Sequence, residues 1–157
     1  MKPLIVATGL LLAGGAAGLA ALLLQPPEGQ AVIDPNDARL VDVGLQIYRA
    51  ECAACHGMDL EGQTNWRERN AAGRLPAPPH DPSGHTWHHP DDHLFAMTKY
   101  GVAALAGGNY QSDMPAYDGQ LSDREILAVL SYIKSTWPPE IQDRHDDINR
   151  RFRAAQD

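Results

Sequence analysis

The sequence is poor in the residues that usually hold a small domain together. Its 157 residues include two Phe, five Tyr and three Trp, and only two cysteines. The apolar segments beyond residue 24 are short. A domain with so few large side chains usually needs another source of cohesion.

An excess of basic residues is also missing. Lys and Arg together number 13 against 20 Asp and Glu, which gives a formal net charge of −7. A nucleic-acid partner requires a basic footprint, so nucleic acid is not expected as a partner. An acidic surface either meets basic patches on other proteins or only keeps the chain soluble, and the charge alone leaves both open.

No segment alternates between apolar and polar residues as a strand would, so the predicted fold class is all-α. Asp37 is a candidate N-cap for a first helix that should end around Cys52 to Cys55. A second helix is predicted from Pro90 to Gly101. Ser122 to Glu125 forms a capping box that opens a third helix. The apolar faces of the first and third helices contain Leu40, Gly44, Ile47, Tyr48, Ile126, Val129, Leu130 and Ile133.

More than 30 residues between the first and second helices show no regular pattern and are rich in Gly, Pro, Asn and His. So long a loop normally argues against a compact domain. A loop that wraps a large apolar group escapes this objection, because the group supplies the missing apolar surface.

The N-terminus is an export signal. Pro3 to Leu24 carry no charge, and as a helix they would extend roughly 33 Å, compared with a hydrocarbon core of about 30 Å. Lys2 precedes the run, so the positive-inside rule leaves the short N-terminus in the cytoplasm and exports the chain beyond Leu24. A membrane anchor is favoured over a cleavable signal peptide because the run exceeds a typical signal core.

Both cysteines lie in Cys52-Ala53-Ala54-Cys55-His56, the C-x-x-C-H pattern of covalent haem attachment. Two thiols three residues apart can each add to one porphyrin vinyl group, and the adjoining imidazole can bind the iron. A disulfide would close only a very small loop, and a zinc site would lack a clear fourth ligand. A thioredoxin-type pair would need a βαβ pattern, which the sequence does not show.

The second axial ligand of such an iron has several candidates, of which Met114 is favoured. Met114 lies in a loop between two helices, and Pro115 stiffens that loop. Met97 falls on an apolar helical stripe and is interpreted as a core residue. Met58 is too close to His56 to reach the opposite face of the haem. The remaining candidates are His80, His85, His88, His89, His93 and His145.

Four histidines between His85 and His93 are dense enough to raise the question of a second metal. Their spacing does not match a recognisable metal site. Solvated side chains, or partners of the haem propionates, are the favoured interpretation.

These residues resemble the class I c-type cytochromes, from about Asp37 to Trp137. The haem motif and Met114-Pro115-Ala116-Tyr117 are similar to the two ligand segments of that family. The resemblance implies an all-α fold with three to four core helices around one haem in a crevice. It also implies that Gly44 and Tyr48 cross Val129 and Tyr132, and that a proline carbonyl holds the proximal His. The candidates for that proline are Pro76, Pro78 and Pro79.

The expected organisation is an anchor or signal (1–24), a linker (25–36), a cytochrome domain (37–137) and a charged tail (138–157) that forms a further helix or is frayed. The predicted cofactor is one covalent haem c with its iron, held by Cys52, Cys55, His56 and Met114. The predicted function is single-electron transfer between membrane complexes of a respiratory chain or related redox complexes, without enzymatic activity. The expected location is the periplasmic side of the cell inner membrane, with a single transmembrane pass. The expected partners are that membrane and a quinol-oxidising complex, a terminal oxidase or a dehydrogenase. The alternatives are a catalytic or gas- or peroxide-binding haem protein, or a subunit of a larger redox complex.

Overall fold

The computed structural model describes residues 32–156. The predicted anchor (1–24) lies outside the described residues. Within residues 32–156, none of the helices combines the length and the hydropathy of a membrane span.

The described part of the chain contains helices and no strand, which confirms the all-α prediction. A nearly continuous helical stretch opens the domain, and the long segment 57–85 beyond it lacks regular structure. The short 3₁₀ turn and α4 were not predicted. In chain order the elements are α1 (Ala38–Ile47), a π-helical segment (Tyr48–Cys52), α2 (Ala53–His56), a 3₁₀ turn (Thr86–His88), α3 (Asp91–Tyr100), α4 (Val102–Ala106), α5 (Asp123–Ser135) and α6 (Pro139–Ala154).

The helix ends follow the local signals in the sequence. The Asp37 carboxylate accepts hydrogen bonds from the backbone N–H groups of Arg39 and Leu40, at 3.0 and 3.1 Å. Ser122 and Glu125 form the reciprocal capping box at the start of α5. Gly101 ends α3 with φ of 83°, a conformation that favours glycine. All three ends were predicted, because each depends on residues a few positions apart.

Helices α1 and α5 cross at Gly44. A Cβ atom on Gly44 would overlap the carbonyl of Ala128 and lie 2.9 Å from Cβ of Tyr132. The rings of Tyr48 and Tyr132 lie 5.4 Å apart at the same crossing. The predicted pairing with Tyr132 is therefore present, and Val129 is buried in the adjoining core.

Helix α6 resolves the choice left open for the tail, which is helical and packs on the domain. The ring of His145 is fully buried and meets Trp137 edge to face at 5.2 Å. Its Nε2 lies 3.0 Å from the carbonyl oxygen of His89. Asn149 is buried against Asp91, at the start of α3. Asp91 also accepts a hydrogen bond from the backbone N–H of Ile33, which ties the N-terminal segment to the same carboxylate.

Candidate haem-attachment site

Cys52, Cys55 and His56 lie on consecutive helical turns at the end of the first helical stretch. The π-helical segment ends at Cys52, and α2 contains Cys55 and His56. Gly57 stops the helix with φ of 82°. Its carbonyl accepts a hydrogen bond from the Tyr48 hydroxyl at 2.8 Å, so the end of the motif is tied to the core.

The two thiols are free, and no disulfide joins them. Cys52 is half-buried and Cys55 is exposed. Burial raises the pKa of the Cys52 thiol to about 11, and the Glu51 carboxylate acts in the same direction. Cys52 therefore remains a neutral thiol at pH 7.

His56 is buried and held by a single hydrogen bond. Its Nδ1 lies 2.8 Å from the carbonyl oxygen of Pro78. Because a carbonyl can only accept, Nδ1 carries the proton and Nε2 keeps its lone pair. Burial lowers the pKa of His56, and the bond to Pro78 opposes that shift. Of the three candidate prolines, the structure therefore selects Pro78 as the partner of His56.

A second imidazole stacks on His56. The rings of His56 and His80 lie 3.9 Å apart with an interplanar angle of 21°. Axial ligands approach iron from opposite faces of the porphyrin. A ring stacked on His56 would lie on the same side of a bound haem as His56, so His80 would not reach the second axial position.

The loop that contains Met114 is anchored at Tyr117. The Tyr117 hydroxyl donates to the carbonyl oxygen of Glu51 at 2.8 Å, next to Cys52. The backbone N–H of Tyr117 donates to the carbonyl oxygen of Thr98, at 3.2 Å. Met114 is half-buried, and its N–H bonds to the Ser112 hydroxyl. The structure thus ties the methionine loop to the helix of the haem motif, while Met114 as an iron ligand stays a prediction.

The competing methionines have other surroundings. Met97 packs against the hydrophobic core, in agreement with its interpretation as a core residue. Met58 is 57% exposed.

The histidines between residues 85 and 93 make aromatic contacts. His85 stacks on Trp66, His88 stacks on Trp87, and His93 meets Phe152. Residues 32–156 contain no group of three or more His, Cys, Asp or Glu side chains that could hold a metal ion.

Sequence reasoning missed two contacts at this site. From the sequence, His80 is only a candidate iron ligand and Tyr117 is only part of the methionine loop. His80 contacts a residue 24 positions before it, and Tyr117 contacts one 66 positions before it. A single sequence contains no signal that residues so far apart meet in the fold.

A comparison with protein-family models finds a match to the model described as Cytochrome c, over residues 41–137. No curated protein and no solved structure matches the chain.

Proposed function

Since the chain belongs to the cytochrome c family, we propose that it carries one electron at a time on a single haem c held by Cys52, Cys55, His56 and Met114. Membership of the family implies covalently attached haem c with its iron, and in general terms a haem-based electron carrier. That the chain holds one haem, which residues bind it and where the protein works in the cell belong to the proposal.

The observation that supports the attachment site is the hydrogen bond from His56 Nδ1 to the Pro78 carbonyl, beside two free thiols. This bond fixes the tautomer of His56 and leaves Nε2 as the donor atom for iron. The thiols of Cys52 and Cys55 are available for thioether bonds because neither is consumed in a disulfide. The donor set therefore suits haem c, which when bound supplies an iron that alternates between the ferric and ferrous states.

Met114 is the proposed second axial ligand. Its loop is tied by Tyr117 to the helix that contains the cysteines. Met97 and His80 are engaged in the core and against His56, respectively. Ligation by His and Met raises the reduction potential, which suits a carrier that delivers electrons to an oxidase. If His56 and Met114 both held the iron, it would have no open position for a substrate.

We propose further that the carrier works on the periplasmic side of the cell inner membrane. The uncharged run from Pro3 to Leu24, preceded by Lys2, supports this topology. An anchor would confine the carrier near membrane complexes and raise its effective concentration there. The proposed partners are a quinol-oxidising complex and a terminal oxidase or dehydrogenase.

The ligand assignment is tested on holoprotein produced in a host that attaches haem. The ferric spectrum should contain the weak charge-transfer band near its red end that marks a Met–iron bond, and CO should bind the ferrous protein poorly. Met114→Ala should abolish the band, whereas Met97→Ala, the matched control, should retain it. If Met97→Ala abolishes the band instead, the assignment of Met114 is wrong. A wild-type protein without the band that binds CO readily would point to a gas-binding or catalytic haem protein.

The topology is tested by mass spectrometry and by fractionation of the full-length protein. The anchor predicts an intact N-terminus in the membrane fraction. A mature N-terminus near Val32 would overturn it.

A further inference from the structure

His80 is a second imidazole beside the proposed iron ligand. Its ring plane lies nearly parallel to that of His56, 3.9 Å away between centroids. Tyr48 meets the ring of His80 edge to face at 6.3 Å. His56 therefore has a hydrogen-bond acceptor at Nδ1, the Pro78 carbonyl, and a flat aromatic ring against one face.

His80 is held at several points. Its Nδ1 lies 2.8 Å from the hydroxyl oxygen of Thr86, and that hydroxyl donates to the carbonyl oxygen of Pro79, at 3.4 Å. The Thr86 hydroxyl and Nδ1 of His80 thus form a hydrogen bond, whose donor depends on the tautomer of His80. The imidazole is thus anchored at the edge that includes Nδ1.

The backbone of His80 is fixed as well. Its N–H donates to the carbonyl oxygen of Leu60, at 2.8 Å. Its carbonyl accepts a hydrogen bond from Nε1 of Trp137, also at 2.8 Å. Trp137 is buried just beyond the end of α5. Its hydrogen bond therefore fixes the backbone of His80 to the core.

The two contacts on His56 restrain different motions. A hydrogen bond to a single carbonyl places Nδ1 but controls the tilt of the ring plane poorly, because hydrogen bonds at carbonyl oxygens tolerate a broad range of directions. A rigid ring against the imidazole face opposes that tilt. Groups that orient a ligating histidine in this way also tune the metal that it binds.

We propose that His80 is a positioning residue, which uses its ring face to fix the plane of His56 and thereby the electronic state of the iron. The proposal rests on the proposed function, in which His56 is the proximal ligand. In this proposal Thr86 and Trp137 act through their hydrogen bonds to His80.

The test uses ferric holoprotein and paramagnetic proton NMR, in which the order and spread of the four haem-methyl resonances report the orientation of the axial ligands. His80→Leu keeps much of the volume and removes the flat ring, and it should change the methyl pattern and shift the reduction potential. His80→Phe restores a flat ring without the imidazole nitrogens and should return the pattern towards that of the wild type. Asn149→Ala, which alters a buried contact made by α6, is the control for a general loss of stability and should leave the pattern unchanged.

Thr86→Val removes only the hydroxyl that anchors Nδ1 and covers the case in which His80→Leu does not fold. It should change the methyl pattern in the same direction and by less. A wild-type pattern and potential in His80→Leu, or in Thr86→Val when His80→Leu does not fold, would overturn the proposal. Equal changes in His80→Leu and His80→Phe would also overturn it, since the ring face would then have no role.

A failure of the proposed function is distinguishable from these outcomes. One such failure is a wild-type protein without covalent haem. The other is a low-spin ferric spectrum that is the same in the wild type and in His56→Ala.

Discussion

Asn149 and Asp91, which are 58 positions apart, form a reciprocal pair of hydrogen bonds. The side-chain oxygen of Asn149 accepts from the backbone N–H of Asp91 at 2.8 Å, and its Nδ2 donates to the Asp91 carboxylate at 2.9 Å. Pro90, the N-cap residue of α3, makes no side-chain cap. An amide on α6 therefore caps α3 from a distance and docks the C-terminal helix on the domain.

Removal of this cap should lower the free energy of unfolding of the domain. We expect Asn149→Ala to lower the free energy of unfolding by about 1–3 kcal/mol, because it leaves the buried backbone N–H of Asp91 without its partner. Chemical denaturation of the holoprotein measures the change. Asp143→Ala, at an exposed position of the same helix, should stay within about 0.5 kcal/mol of the wild type. Equal effects of the two variants would contradict the capping role.

The buried His145 should make stability depend on pH. Burial lowers the pKa of His145 below its ordinary value of 6.5; Lys134 acts in the same direction, and Asp91 and Asp146 oppose it. The unfolded chain then takes up a proton at a higher pH than the folded chain, so the free energy of unfolding falls as the pH drops below about 6.5. Above that pH this contribution is fully present.

His145→Gln keeps a donor for the carbonyl of His89 and cannot titrate in this range. Urea unfolding between pH 5 and pH 8 should give a shallower dependence for this variant than for the wild type. The difference is at most about 1.4 kcal/mol per pH unit, the value for one proton. Parallel curves for the two proteins would show that His145 does not contribute.

Gly44 should tolerate no side chain. In most helices a change from Gly to Ala gains up to about 1 kcal/mol, but here the added methyl group would overlap the carbonyl of Ala128. Gly44→Ala should therefore destabilise the protein, by about 1–3 kcal/mol, as the helices separate. Thermal unfolding measures the change. The control is Asp42→Ala, at an exposed position of α1, because it alters the same helix away from the crossing. A stabilised Gly44→Ala protein would disprove the close approach.

Tyr117 should steady the methionine loop. Burial raises the pKa of its phenol to about 12, so the hydroxyl remains a donor to the Glu51 carbonyl throughout the neutral range. Tyr117→Phe should cost about 0.5–1.5 kcal/mol of stability. If Met114 binds the iron, the Met–iron charge-transfer band should also disappear at a lower temperature on heating. Tyr100→Phe, at a half-exposed ring, is the comparison, and its band should disappear at the wild-type temperature.

The features that could be predicted depend on residues close together in sequence. The Asp37 cap, the capping box of Ser122 and Glu125, and the stop at Gly101 each involve neighbours within about one helical turn. The haem motif is equally local. The choice of Pro78 among three prolines, the stacking of His80 on His56 and the pairing of Asn149 with Asp91 depend on how the chain returns to itself. The periodicity of a single sequence does not predict which of these distant residues come into contact.

The π-helical segment Tyr48–Cys52 determines how the haem motif faces the rest of the domain. Such a segment is equivalent to one extra residue inserted into an α-helix, and each residue turns the helix by about 100°. Gly44 on one side must remain against α5, and His56 on the other must reach Pro78. An ordinary α-helix wound through the same residues would swing both sulfurs and the imidazole about a quarter of a turn away from their present directions, even though every residue of the attachment motif would still be present.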